Sequence, residues 1–262
     1  MTVAPVTLAV LIAATLIIAL LPFVLFRTLC KPLALDRRDT IVGVAVFTLF
    51  AMIVERAFHG LVLSQTPAGG WLTRPLAFVA YSALATAVFE ELGRYLGMRF
   101  LKRRYGAPAG DSRGIGYGLG HAGAEAWFVG VLVWGQWSYL AWIASRGQLD
   151  AQLADLPGDT VVRLHVMLAT LSAQSMLLLL IERCASFAVQ LALSVLVWRG
   201  VRAGRAGVLP LAIVLHALAV APALLYQVRV LPAGALEAVY FVLAAVLAAV
   251  LVKACRSQRA AA

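Results

Sequence analysis

Long apolar runs alternate with short polar connectors along the chain, and that alternation sets the first expectations. A helix needs about 20 mostly apolar residues to cross the hydrocarbon of a bilayer. Seven stretches qualify: 4–26, 40–60, 75–98, 114–143, 178–198, 207–227 and 235–253. They predict an all-α fold, a polytopic transmembrane helix bundle of about seven spans. The stretch 160–177 ("TVVRLHVMLATLSAQSML") fits an outer extension of the fifth span, an interfacial helix or another crossing. The loops are short and no repeat is visible, so 1–262 is expected to form a single integral membrane domain. The first run lacks a basic n-region and a small-residue cleavage site, and reads as a retained span rather than a signal peptide.

The placement of Lys and Arg orients the bundle. Connectors after spans one, three and five hold Arg27, Lys31, Arg37 and Arg38; Arg99, Lys102, Arg103, Arg104 and Arg113; and Arg199, Arg202 and Arg205. With the tail (Lys253, Arg256, Arg259), these fall on one side of a seven-span bundle, against only Arg74, Arg146, Arg163 and Arg229 on the other. A crossing at 160–177 would move several of them to the wrong side. The expected arrangement therefore has the N-terminus outside and the C-terminus in the cytoplasm, as a multi-pass protein of the bacterial cytoplasmic (inner) membrane.

Composition agrees: 63% of residues are hydrophobic and 13% charged, where soluble domains carry about a quarter charged. The net charge of +10 does not imply nucleic acid, because the basic residues lie between apolar runs rather than on one face. Cys30, Cys184 and Cys255 are far apart and without metal-type spacing, so neither a disulfide framework nor a zinc knuckle is expected.

Three arginines remain inside the spans, each beside a glutamate: Glu55–Arg56, Glu90/Glu91–Arg94 and Glu182–Arg183. Charges within a membrane are costly unless paired and usually face the bundle interior. The first and last pairs read as structural, with His59 joining the Glu55/Arg56 cluster and His165 solvated near the outer interface. The middle group stands apart because of its depth. Counted at about 1.5 Å per residue from the cytoplasmic charges, Glu90, Glu91, His121, Glu125, Gln190 and His216 lie roughly 12–18 Å deep. Glu55 and Glu182 lie roughly 24–26 Å deep. His121 and Glu125, four apart, share a helix face. Arg94 can brace either Glu90 or Glu91. The run "GIGYGLGHAGAEA" (Gly114–Ala126) precedes no strand and suits close helix packing rather than a nucleotide loop.

Such a layer permits three chemistries. A glutamate can deprotonate a water that attacks a peptide carbonyl, with histidines serving the oxyanion or the leaving amine. Alternatively, His121, Glu125 and His216 could bind Zn2+, leaving Glu90 or Glu91 as general base. Third, the carboxylates could relay protons or bind a cation in a small transporter, although no inverted repeat is evident. A non-catalytic scaffold, whose charges only fix helix register, is a further alternative.

The blocks "FEELGRYLGMRF", "GLGHAGAEA", "IERCASFAVQLALSVLVW" and "LHAL" resemble the YhfC family of bacterial intramembrane proteases. That family is related to the CPBP group, which includes the type II CAAX prenyl endopeptidases. The resemblance runs from about Ala85 to Leu218. It implies an intramembrane protease of glutamic or zinc type, acting on a membrane-embedded or membrane-proximal peptide, with membrane lipid as its surroundings. It implies Glu90 as the water-activating carboxylate, Glu91 and Arg94 as its support, and His121 and His216 as oxyanion donors or metal ligands. The chain departs from the broader CPBP pattern in three places. Arg94 comes one residue early after the first glutamate, Glu125 follows His121 by one turn, and Val220 stands where the group prefers Asn or another polar residue.

Overall fold

The computed structural model describes residues 3–67, 70–232, 234–236, 238–240, 242 and 243. Every regular element among them is helical. Five helices are long and apolar enough to cross a membrane. These are α1 (Pro5–Leu29), a helix made of α2 (Arg37–Phe47), a π-helical stretch (Thr48–Glu55) and α3 (Arg56–Gln65), then α4 (Pro75–Tyr105), α9 (Ala173–Arg202) and α10 (Val208–Gln227). Between α4 and α9 come α5 (Ser112–Glu125), a second π-helical stretch (Ala126–Val131), α6 (Leu132–Ser145), α7 (Leu149–Gln152) and α8 (Gly158–Thr170).

The expected span 114–143 is thus helical throughout, but its glycines, His121, Glu125 and Gln136 dilute its apolar content. It is not among the five. The stretch 160–177 divides: 173–177 extend the following span as the start of α9, and 160–170 belong to α8. α8 has 13 residues and rises about 20 Å, short of the roughly 30 Å of hydrocarbon. Leu171 is extended (φ −65°, ψ 126°) and separates it from α9. Most of the expected span 235–253 lies outside the described residues.

Local chemistry explains the boundaries. The Asp36 carboxylate accepts from the Arg38 amide at 2.9 Å and starts α2. Pro75, whose fixed φ suits a first helical position, opens α4. Gly106 closes α4 with φ +80°, a value costly for a residue with a side chain. Ser172 Oγ accepts from the Ser175 amide at 3.0 Å at the start of α9.

The chain forms two compact units, each built from discontinuous stretches. One comprises Met1–Leu21 and Glu125–Cys184. Its core gathers Val3, Leu140, Ala144, Leu149, Leu153 and Leu168. Within it Arg183 faces Glu182 at 2.5 Å and Glu125 at 3.5 Å, so the expected Glu182–Arg183 pair forms.

The other unit comprises Pro22–Ala124 and Ala185–Ala262. Here α4 packs against α10 and α2. Met98, Leu101, Tyr117, Val197 and Trp198 form an apolar core. α5 approaches two neighbours at once. A Cβ at Gly114 would lie 3.0 Å from Val195 Cα, and one at Gly118 would lie 2.9 Å from Ser194 Cβ, both on α9. Gly116 and Gly120 face α2, where a Cβ at Gly120 would overlap the Thr40 carbonyl. Gly43 of α2 reciprocates against the Tyr117 carbonyl. The glycine run is therefore a packing device, with small residues allowing backbone to meet backbone.

Two clamps hold the end of this unit. Arg199 grips Asp111 at 2.9 and 2.5 Å, and the Trp198 indole donates to the Gly110 carbonyl at 3.1 Å. Arg113 pairs with buried Asp39 at 3.0 Å and donates to the Leu101 and Gly106 carbonyls at the end of α4. Large apolar side chains cover the outside of this unit: Ile41 and Leu218 are each 65% exposed, with Leu61 and Leu84 also exposed. A surface of this kind requires lipid rather than water around it.

Candidate active site

α4 supplies Glu90, Glu91 and Arg94, α5 supplies His121, α9 supplies Gln190 and Ser194, and α10 supplies His216, all in the second unit. All seven side chains are buried. Five of the six residues singled out in the sequence meet here. Glu125 lies in the other unit, where Arg183 is its ion-pair partner.

Arg94 is the hub. Its Nε donates to both Glu91 oxygens, at 3.1 and 3.0 Å. Nη1 donates to the Gln190 carbonyl at 3.0 Å and to Ser194 Oγ, while Nη2 donates to Gln190 Oε1. A guanidinium has donors only, so it fixes which way the Gln190 amide points. The Gln190 NH2 then faces outward and donates to Glu90 Oε2 at 2.9 Å. Arg94 thus neutralises Glu91 directly and orients Glu90 through Gln190. Spacing alone had allowed it to brace either carboxylate.

The two glutamates consequently differ. Glu91 is fully enclosed between Arg94 and His216, whose Nδ1 lies 2.8 Å from Glu91 Oε1. Glu90 keeps 6% exposure, and its Oε2 lies 3.1 Å from His121 Nε2 and 4.0 Å from His216 Nε2. An ionised Glu91 only accepts, so His216 donates to it from Nδ1, which leaves Nε2 directed toward Glu90.

His121 Nε2 also lies 3.3 Å from Arg94 Nη2. An imidazole nitrogen carries either one hydrogen or one lone pair. With the hydrogen it donates to Glu90; without it, it accepts from Arg94. One proton therefore selects the ring's partner. The ring itself is held edge-on by Phe47 (centroids 5.1 Å, 82°) and stacked by Tyr117 (5.9 Å, 25°).

A family model described as YhfC intramembrane metalloprotease matches residues 17–243. The chain belongs to the YhfC family. The uncharacterized membrane protein YhfC of Bacillus subtilis (strain 168) is 32% identical over 220 residues, covering 82% of this chain and 83% of that protein. No solved structure matches. YhfC membership puts this multi-pass membrane protein in a class of membrane peptidases.

The YhfC family's description implies a metal, and the donor set can be tested against one. Zinc takes three protein ligands in a catalytic site. Among the described residues, no group of three or more His, Cys, Asp or Glu side chains is arranged to hold a metal ion. The Arg94 guanidinium stands against the His121 nitrogen that would ligate, so a divalent cation there would meet a fixed positive charge. Glu125, expected as a ligand, has Arg183 as its partner. The residues as arranged do not fit zinc.

Gln190 was visible in the sequence only by its depth, and Ser194 was missed. Their spacing of four in "QLALS" marks one polar stripe on an apolar helix, the available clue. The Glu55–Arg56 pair expected as structural does not form. Glu55 accepts from Thr86 Oγ1 at 2.6 Å and meets His59 at 3.2 Å, while Arg56, next in the chain, points outward and is exposed. His59 does join Glu55 as expected, and also contacts Tyr81 Oη at 2.7 Å.

Proposed function

We infer that this chain hydrolyses a peptide bond in or beside the membrane, with Glu90 activating the attacking water. The observation that carries the reading is the asymmetry of the two glutamates: Glu91 is fully buried with both oxygens engaged, whereas Glu90 keeps 6% exposure and is held through Oε2, with Oε1 left to accept. The 4.0 Å between Glu90 Oε2 and His216 Nε2 suits one bridging water hydrogen-bonded to both. Glu90 takes the water's proton as hydroxide adds to the carbonyl carbon. His121, in contact with the same carboxylate oxygen, relays that proton to the leaving amine as the C–N bond breaks. The Gln190 amide and the Arg94–Glu91–His216 chain hold these groups in register. No step is routed through a metal.

The basic C-terminal ends of α4 and α9 support an opening to the cytoplasm and an outside N-terminus. Glu90 lies nine residues, about 13 Å, from Arg99 along α4. Bacterial cytoplasmic membrane is the setting this reading assigns.

The test is Glu90→Gln in liposomes, read with a quenched fluorescent library of transmembrane peptides. It is expected to lower cleavage about 10²- to 10⁴-fold, the usual worth of a positioned base, with thermal unfolding unchanged. Full cleavage by Glu90→Gln would overturn the assignment. Proton or ion flux without any cleavage by the wild type would favour the transporter reading.

A further inference from the structure

At the end of α4 opposite Pro75, two cavities of about 390 and 440 Å³ lie side by side and share Arg99 and Arg103. The first also has Lys102 and Arg205 in its wall, with Tyr95 beneath the Arg99 guanidinium at 5.6 Å. The second adds Arg104 and the exposed apolar side chains of Leu96 and Phe100. No carboxylate lines either cavity.

Three arginines of this unit are engaged by carboxylates. Arg94 holds Glu91, Arg113 holds Asp39, and Arg199 holds Asp111. Lys102 is itself bound to the Val201 and Arg202 carbonyls at 2.8 and 3.2 Å. Arg99, Arg103 and Arg205, by contrast, form no ion pair with any described residue. Three guanidiniums around one recess repel each other unless an anion is present.

We propose that this recess binds the headgroup of an anionic phospholipid. The phosphate sits among Arg99, Arg103 and Arg205, and an acyl chain runs over Leu96 and Phe100. The position fits, because the recess lies where two membrane-length helices, α4 and α9, end in basic turns, at the level of headgroups. A retained positive charge for orientation alone needs no cavity and no apolar flank. The site is independent of the peptidase reading and shares no residue with it.

The test is native mass spectrometry of the full chain in detergent, titrated separately with phosphatidylglycerol, phosphatidylcholine and inorganic phosphate. The wild type is expected to retain phosphatidylglycerol at least about tenfold more tightly than phosphatidylcholine. The triple variant Arg99→Gln/Arg103→Gln/Arg205→Gln is expected to weaken phosphatidylglycerol on the order of 100-fold, from the usual contribution of each basic residue near an anionic surface. The charge-matched Arg27→Gln/Lys31→Gln/Arg37→Gln is expected to bind as wild type. Should the triple variant fail to fold, Arg103→Gln alone, an exposed side chain, is expected to weaken binding about fivefold. Equal losses in the two triple variants, or no headgroup preference in the wild type, would overturn the site. Phosphate bound without any retained lipid would assign the cavity to a soluble anion and overturn the lipid.

Discussion

Replacing Arg94 by Met keeps the length of the side chain and removes its charge. The guanidinium satisfies both oxygens of Glu91, orients Gln190 and reaches Ser194, and both members of the ion pair are 0% exposed. Removing one partner of a buried pair leaves the other charge uncompensated, at a cost of about 3–5 kcal/mol. His216 contacts Glu91 at 2.8 Å and can take up a proton, which places the expected loss near the lower end, about 3 kcal/mol. A second variant separates charge from packing. Glu91→Leu/Arg94→Met removes both charges and, as buried pairs replaced by apolar residues generally do, should recover most of that loss. Cleavage should stay absent in both, because Gln190 no longer has a fixed orientation from which to hold Glu90. Unfolding in mixed micelles with increasing dodecyl sulfate, followed by helical circular dichroism, gives the stabilities. The same preparations in liposomes give activity. An Arg94→Met loss below about 1 kcal/mol, or a double variant no more stable than the single, would refute the hub role of this arginine.

Gly120→Val should destabilise by at least about 1–3 kcal/mol, because its Cβ would overlap the Thr40 carbonyl and backbone cannot yield as a side chain does; the same unfolding measurement checks it. Thr86→Val should cost about 1–3 kcal/mol by taking the 2.6 Å donor from buried Glu55, with cleavage per folded molecule retained. Extensive chelation with exchange into metal-free buffer should leave cleavage and unfolding unchanged, as the Arg94–His121 contact implies; loss of cleavage restored by added zinc would reverse that conclusion.

The membrane class and most helices were legible because a lipid-crossing helix must be apolar over its whole length, a strong and redundant signal. The boundaries ran long by several residues, since α4 continues from 98 to Tyr105 through charged residues that are equally at home in a helix. The meeting of Glu90, His121 and His216 was also readable, from depth alone, because scarce polar groups in lipid seek one another. The pairings were not. Arg94 chose Glu91, Glu55 chose Thr86 over Arg56, and Glu125 chose Arg183. Each choice depends on azimuth around a helix axis, and a π-helical stretch shifts azimuth by changing the residues per turn. Such stretches run from Thr48 to Glu55 and from Ala126 to Val131, ending at Glu55 and beginning directly after Glu125. Nothing in local composition announces them.

The glycines of α5 have a mechanical consequence. With α2 and α9 touching its backbone on two sides, the helix can neither roll nor slide without steric overlap. His121 is thereby indexed like a key in a slot. Thickness changes or lateral pressure in the bilayer will be taken up by the compliant leucine-covered exterior, leaving the imidazole's aim unaltered. Under the proposed function, membrane composition is then expected to act through peptide entry rather than through displacement of His121.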